Sequence, residues 1–256
     1  AYVISGSGGS FYCENCIRDG WYVKAMREAG AEASVLPMYL PLTPDGLGDT
    51  GGTPVFYGAV SLFLKQTFPF LRRLPGRLLS FLDSPLMLRF AAGMAGSTRA
   101  GGLAGLTLSM IRGEEGGQRE ELDRMVCWIR DHLSPDVLHL SNALLIGLAG
   151  RVWNELGIPV VCSLQDEDTW IDELPSPYRQ EAWAEIGRRS AHVSLFLSPS
   201  AWFADHMAEL AGISRHKIAV LPVGIDTDEY ESVSPCFDPP AVGYLSRLSS
   251  MHGLDL

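Results

Sequence analysis

The residues VVCSL at 160–164, VSLFL at 193–197 and IAVLP at 218–222 decide the fold that we expect. Each run is almost continuously apolar, as strands are in a parallel sheet with helices on both faces. Helical patterns separate the runs, so strands and helices alternate through this half of the chain. The predicted order is helix 118–132, strand 137–140, helix 143–156, strand 159–164, helix 176–190, strand 193–197, helix 201–211 and strand 218–222.

The N-terminal part adds a βαβ unit to this pattern. A strand over 1–5, a helix over 16–29 closed by Gly30, and a strand over 33–38 are each bounded by glycine or proline. Between about residues 39 and 111 the alternation of strands and helices stops, and Pro and Gly interrupt short apolar segments that have a helical pattern. The fold class is therefore α/β, a Rossmann-like parallel sheet with helices on both faces and a helical insertion at about 58–112.

A linker and the start of a second domain are expected near the end of the chain. SPCFDPP at 234–240 has the proline density of a linker, and AVGYLS at 241–246 resembles a new buried strand. One strand with part of a helix cannot bury its own faces. We expect a first domain over 1–234, a linker over 235–240 and the start of a second α/β domain over 241–256. The alternative is that this strand joins the edge of the first sheet.

Composition excludes several classes of protein. Hydrophobic residues make up 46% and charged residues 20% of 256 residues, which is typical of a globular protein. A net charge of −10 disfavours binding to nucleic acid. Five cysteines, an odd number thinly spread, make a disulfide framework improbable. A cytoplasmic location is expected, with no apolar run of membrane-spanning length.

Ligands of open parallel sheets bind outside the carboxyl ends of the strands. The segments that follow the predicted strands are all polar or glycine-rich, which makes them candidates for a site. Ser200 is better explained as the N-cap of the helix after 193–197. The candidate segments are 5–16, 38–44, 141–142, 165–168, 198–200 and 223–226.

The glycine-rich segment SGSGG at 5–9 has two interpretations. Gly6, Gly8 and Gly9 could let a phosphate or a sugar approach the backbone closely, but their spacing fits neither a dinucleotide-binding nor a P-loop motif. Cys13 and Cys16 form a C-x-x-C pair at a helix start, where thiolates are stabilised. A redox or metal-binding protein is therefore an alternative, although no second ligand pair for zinc follows.

Several segments resemble, in order, the retaining GT-B glycosyltransferases of family 4. VLPVGIDTDEY at 220–230 resembles the end of that family's N-terminal domain, and GYLSRLSSMHGLDL at 243–256 resembles its first C-terminal strand and loop. SGSGG with the helix exit AMREAGAEASVL matches the family's glycine loop and first helix. DVLHLSN at 136–142 and PVVCSLQDED at 159–168 match two further segments.

The resemblance implies a two-domain transferase that moves a sugar from a nucleotide-sugar donor to an acceptor with retention and without an essential metal or other cofactor. The acceptor would bind mainly to the N-terminal domain. Arg247 fills the position of the family's phosphate-binding arginine, and His252 replaces its lysine with a weaker, pH-dependent cation. Gly8 and Gly9 would contribute backbone amides to the donor phosphate. Because the donor-binding carboxylates would lie beyond residue 256, we expect this chain to be inactive alone.

The expected acceptor contacts lie at the strand ends. Gln165 replaces the family's histidine, and Asp166, Glu167 and Asp168 crowd one loop, where they would bind sugar hydroxyls or form a capped helix start in a solvated acidic loop. His139 lies inside a strand and is more typical of a core histidine. The predicted acceptor-binding residues are Cys13, Asn15, Asp19, Asn142, Gln165, Asp166 and Asp168.

The insertion suggests a membrane or lipid-linked partner. Residues 62–90 mix Phe and Leu with five basic residues and only Asp83 as an acid, the composition of an interfacial helix. They could contact the inner face of a membrane or cover a lipid-linked acceptor, as an enzyme of cell-envelope polysaccharide synthesis would. The alternative is a helical hairpin packed on the sheet. A non-catalytic module that binds sugar or nucleotide also stays open.

Overall fold

The structure, a computed structural model, describes residues 1–5, 14–38, 56, 103–225, 227, 230–232, 239, 240 and 243. The chain divides into two compact units, Ala1–Gly224 and Ile225–Leu256. All the helices and strands given below belong to the first unit. The predicted helical pieces between 60 and 94, the linker and the start of the second domain lie largely or wholly outside the described residues.

A parallel sheet forms the centre of the first unit, as predicted. Within the described residues it has six strands in the order β2-β1-β3-β4-β5-β6, and every neighbouring pair is parallel. The α/β, Rossmann-like fold class is confirmed. The strands are β1 Tyr2–Ile4, β2 Val35–Pro37, β3 Leu138–Leu140, β4 Val160–Ser163, β5 Leu195–Ser198 and β6 Ile218–Val220.

Helices connect the strands and cover the sheet. Short 3-10 helices supplement them at Gly113–Glu115, Ala143–Leu148, Ser190–His192 and Arg215–Lys217. In the described part of the chain the α-helices are α1 Glu14–Glu28, α2 Ala104–Ile111, α3 Arg119–His132, α4 Ala149–Leu156, α5 Glu167–Asp172, α6 Tyr178–Arg189 and α7 Ala201–Ala211.

Two helical segments differ from the sequence-based expectation. The predicted helix 143–156 begins as the 3-10 helix Ala143–Leu148 and becomes α-helical only in α4. Gly147 packs directly on the backbone of Met110 and Gly113, which fixes the path of this first half. Helix α5 is not among the predicted helices, and only the alternative of a capped helix start in the acidic segment anticipated it.

Apolar side chains lie on both faces of the sheet, as a parallel sheet requires. On β1, Tyr2 and Ile4 pack in a cluster with Val23 of α1, whereas Val3 belongs to a larger cluster on the other face. All three strand residues are buried. Within the described residues no helix is long and apolar enough to cross a bilayer.

The strand order places a switch point beside β1. The chain leaves β1 to form β2 on one side and later returns to form β3 on the other side. Connections that diverge in this way leave a crevice at the carboxyl ends of the two strands. Ser5, at the end of β1, and Ser141, at the end of β3, therefore mark the place to search for a site.

Candidate functional site

A pocket of about 230 Å3 opens at this carboxyl edge. Its lining comes from three connections: the start of α1, the residues after β3, and the segment after β4 with α5. Because three separate connections converge, the wall depends on the sheet order rather than on one local motif. The lining residues are Asn15, Asn142, Leu144, Asp166, Glu167, Thr169, Trp170 and Glu173.

Three predicted acceptor contacts meet in this pocket. Asn15 Nδ2 donates a hydrogen bond of 2.8 Å to Asp166 Oδ1, joining α1 to the segment after β4. Asn142 is the N-cap of the following 3-10 helix, and its Oδ1 accepts from Leu144 N at 3.1 Å. Among the described residues, the Asn142 amide nitrogen makes only long contacts, of 3.5 and 3.4 Å, with the hydroxyls of Ser5 and Ser141. That nitrogen can therefore donate to a ligand.

Glu167 holds two walls of the pocket together. Its Oε1 accepts from Ala143 N and its Oε2 accepts from Gln165 N, both at 2.7 Å. The side chain is buried, and burial raises the pKa of its carboxyl to about 7. The expectation of a solvated acidic loop is therefore wrong for Glu167. It positions the segments after β3 and β4 relative to one another.

Asp19 and Gln165 are buried beside the pocket and do not line it. Gln165 Nε2 donates to Ser141 O at 2.5 Å and to Asp19 Oδ1 at 3.4 Å. Both acceptors require the amide nitrogen, which fixes the orientation of the Gln165 amide. Tyr2 donates to the same Asp19 oxygen at 2.9 Å, and Arg18 Nη2 lies 3.6 Å away. Burial raises the pKa of Asp19 to about 6, and Arg18 opposes this shift.

His139 is a core histidine, as predicted. Its Nε2 lies 2.8 Å from the hydroxyl of Ser163 on the next strand, and its ring packs against Tyr2 at 4.4 Å between centroids. Burial lowers the pKa of His139 to about 4. The imidazole is therefore neutral at physiological pH and supports the sheet.

Asp168 faces away from the pocket, toward α7. Its Oδ2 lies 3.3 Å from His206 Nε2. The His206 ring stacks on Trp202 with 5.0 Å between centroids and an interplanar angle of 15°. The predicted N-cap of α7 is confirmed, since Ser200 Oγ accepts from Phe203 N at 3.1 Å.

The remaining predicted site residues belong to segments outside the described part of the chain. Gly8, Gly9, Cys13, Arg247 and His252 lie outside the described residues, as does the side chain of Cys16. Their proposed roles stay predictions, and so does the C-x-x-C alternative. Where side chains are described, no group of three or more His, Cys, Asp or Glu is arranged to hold a metal ion.

Sequence reasoning missed four contributors to the pocket wall. Leu144 belongs to the cap that Asn142 begins, Thr169 and Trp170 lie on α5, and Glu173 is the C-cap residue of that helix. Asp166, Thr169, Trp170 and Glu173 recur at helical spacing, which places them on one face of a helix. That spacing in the printed sequence is the signal that could have found them.

Residues 117–229, from just before α3 to beyond β6, match the family model described as Glycosyltransferase Family 4. No curated protein and no solved structure matches the chain. The matched segment includes Asn142, Asp166 and all of α5, and its parallel strands agree with the predicted fold. The match supports a glycosyltransferase in general terms, with sugar donor and acceptor substrates.

Proposed function

We propose that residues 1–234 are the acceptor-side domain of a retaining glycosyltransferase that uses a nucleotide-sugar donor. One observation carries the proposal: Asn15, Asn142 and Asp166 line a single pocket at the switch point. The family match over 117–229 supports the class of reaction. The resemblance of the glycine loop and of GYLSRLSSMHGLDL supports retention and the nucleotide-sugar donor.

The pocket supplies the polar groups that an acceptor sugar needs. Asp166 is exposed, and within the described part of the chain Asn15 contacts only the Oδ1 of Asp166, so Oδ2 can accept from a sugar hydroxyl. Hydrogen bonds to a carboxylate are stronger than those between neutral groups. The Asn142 amide nitrogen can donate to a neighbouring hydroxyl. Together these groups would orient the acceptor for attack on the donor sugar.

The pocket chemistry favours a neutral or amino sugar as the acceptor. Among the described lining residues, Asp166, Glu167 and Glu173 are acidic and none is Lys, Arg or His. A phosphorylated sugar would bring negative charge to this wall, and like charges at short distance repel. We infer that the acceptor moiety in this pocket carries no phosphate.

The donor side of the proposal rests on sequence alone. The diphosphate leaving group develops negative charge, which cations and backbone amides stabilise. Arg247, His252, Gly8 and Gly9 would supply these groups, and the donor-binding domain would begin at 241. Arg247 and His252 would then contribute to catalysis by stabilising the departing diphosphate. We expect no essential metal or other cofactor.

The direct test is calorimetric titration of the natural full-length gene product with UDP-, GDP- and ADP-sugars. One of them should bind, and acceptor should then accelerate release of the nucleoside diphosphate. The anomeric configuration of the first product, observed by proton NMR, should match that of the donor. If none of the nucleotide-sugars binds, the proposed function is wrong; inversion would reject retention alone.

Contact of residues 62–90 with the cytoplasmic membrane face belongs to the same proposal. Their basic and aromatic composition suits an anionic surface. Sedimentation with phosphatidylglycerol vesicles should remove the protein from solution at low salt and less so at high salt. Absence of binding at low salt would exclude this contact without affecting the transferase proposal.

A further inference from the structure

Trp202 is exposed at the beginning of α7, next to the helix that lines the pocket. Its exposed fraction is 70%, compared with 47% for Trp153, 37% for Trp21 and 8% for the buried Trp183. Exposing a large aromatic surface forfeits the free energy that burial would provide. Such a side chain at the edge that carries the candidate site suggests contact with a ligand.

The Trp202 ring is held in place although it is exposed. His206, one helical turn later, stacks on it in a nearly parallel arrangement. Asp168 of α5 lies 3.3 Å from the His206 imidazole. Phe203, the residue after Trp202, is buried, and the Ser200 cap fixes the first turn of α7. A ring restrained in this way loses little further conformational entropy on binding.

Helix α5 connects this tryptophan to the pocket. Asp168 faces His206, which stacks on Trp202, whereas Asp166, Thr169 and Trp170 line the pocket. Asp168 therefore projects from the side of α5 opposite to the pocket-lining residues, and an α-helix with its side chains is about 10–12 Å across. A chain of several sugar units that passes over this segment could contact both the pocket and Trp202.

The chemistry around Trp202 suits a carbohydrate. The electron-rich face of an aromatic ring attracts the polarised C–H groups on the apolar face of a pyranose. His206 covers one face of the Trp202 ring, so a sugar would stack on the opposite face, and Asp168 beside His206 supplies a carboxylate acceptor for hydroxyl groups. Asp168 places a carboxylate near this ring, which disfavours an anionic lipid surface as the partner of Trp202.

We propose that Trp202, with His206 and Asp168, forms a second sugar subsite, so that the acceptor is a neutral oligosaccharide rather than a single sugar. This inference rests on the proposed function for its link to the pocket. The terminal sugar binds between Asn15, Asn142 and Asp166, and a preceding sugar stacks on Trp202.

Two tryptophans report separately on the two subsites. Trp170 lines the pocket, and its indole nitrogen donates to Thr107 at 3.2 Å, whereas the Trp202 indole belongs to the proposed subsite. Their indole N–H signals in the nitrogen-15-labelled chain can be assigned with Trp170→Phe and Trp202→Phe. The probes are chitotriose, cellotriose, maltotriose and mannotriose, each tested beside its monosaccharide.

One of the trisaccharides should shift both indole signals, and its monosaccharide should shift that of Trp170. Trp202→Ala should weaken binding of that trisaccharide by about tenfold, the loss expected for one aromatic stacking contact. It should leave binding of the monosaccharide unchanged. Trp153→Ala, which removes an exposed tryptophan from α4, should change neither affinity.

The proposal is overturned if no trisaccharide shifts the Trp202 signal, or if Trp202 responds without Trp170. It is also overturned if vesicles of phosphatidylglycerol and phosphatidylcholine shift the Trp202 signal and the sugars do not. These readouts measure binding to the chain directly. Release of nucleoside diphosphate by the full-length gene product tests the transferase proposal separately, so either idea can fail alone.

Discussion

Asn15 Nδ2 donates a 2.8 Å hydrogen bond to Asp166 Oδ1, although 151 residues separate the two positions in the chain. Asn15 lies in the first turn of α1, which follows β1, and Asp166 comes just after β4. Because β3 lies between these strands, the contact spans the mouth of the crevice. It therefore links the sheet order directly to the shape of the candidate acceptor pocket.

Asn15→Ala and Asp166→Ala should have little effect on folding. The hydrogen bond between these two side chains is exposed to solvent, and a typical hydrogen bond contributes about 0.5–1.5 kcal/mol. Urea denaturation should therefore give free energies of unfolding within about 1 kcal/mol of the wild-type value. A larger loss would mean that this contact stabilises the fold and that neither variant isolates ligand binding.

Glu167→Ala should destabilise the protein much more than either pocket variant. It leaves the buried amides of Ala143 and Gln165 without their carboxylate acceptor, at about 1–3 kcal/mol for each group. Glu167→Gln keeps one acceptor oxygen but turns an amide nitrogen toward the other backbone amide. Its free energy of unfolding should therefore lie between those of the wild type and Glu167→Ala. Urea denaturation of both variants measures these costs.

Glu173→Gln is the matched control for Glu167→Gln, since Glu173 is an exposed glutamate one residue beyond the end of α5. It should unfold at the wild-type urea concentration. Equal stability of Glu167→Gln and the wild type would contradict the positioning role of Glu167.

The stability contributed by Glu167 should fall as the pH rises. Burial raises its pKa from 4.5 to about 7, so the unfolded chain loses its proton at lower pH than the folded protein does. The folded state then holds more protons between these values, and the free energy of unfolding decreases with pH until it levels off above about pH 7. Asp19, whose pKa burial raises from 3.8 to about 6, acts in the same direction.

The difference in stability between the wild type and Glu167→Gln isolates this effect from other titrating groups. Denaturation between about pH 4 and pH 8 should show that the wild-type advantage shrinks as the pH rises. An advantage that grows over this interval would show that the Glu167 carboxylate is stabilised in its charged form.

Gly147→Ala should disrupt the packing between α2 and the 3-10 helix after β3. A Cβ at Gly147 would overlap the carbonyl oxygen of Met110, and backbone atoms cannot move aside as a flexible side chain can. We expect a loss of about 3 kcal/mol or more by thermal denaturation. A wild-type melting temperature for this variant would contradict the close approach of Gly147 to the Met110 backbone.

Gly105→Ala is the control for that substitution. No described residue lies within 4 Å of a Cβ at Gly105, which is an exposed position in α2. Replacing a glycine inside a helix should stabilise the protein by about 0.5–1 kcal/mol. Gly147→Ala should therefore lower the stability of the protein, whereas Gly105→Ala should raise it.

The sheet could be predicted from sequence because its strands carry a local signal, a short and almost continuously apolar run. VVCSL, VSLFL and IAVLP are almost continuously apolar, which is typical of strands buried on both faces, although Ala219 and Val220 of β6 are exposed. The positions of Asn142 and Asp166 followed, because residues after parallel strands gather at one edge. Predicting that these two residues lie close together required only the alternation of strands and helices in the sequence.

The parts that could not be predicted depend on tertiary packing. Nothing in the local sequence shows that Glu167 is buried while Asp166, its neighbour, is exposed. That difference arises because the short helix α5 turns Glu167 toward the amides of Ala143 and Gln165. Asp168 points toward His206 for the same reason, so three consecutive acids have three different surroundings.

The most direct test of the acceptor pocket is the rate of sugar transfer by the full-length gene product as a function of acceptor concentration. We predict that Asp166→Ala raises the KM for the acceptor by about tenfold, the loss of one charge-assisted hydrogen bond, and leaves the KM for the donor unchanged. Glu32→Gln, an exposed substitution in the segment before β2, should change neither value. An unchanged acceptor KM in Asp166→Ala, or a rise in the donor KM alone, would contradict the assignment of this pocket to the acceptor.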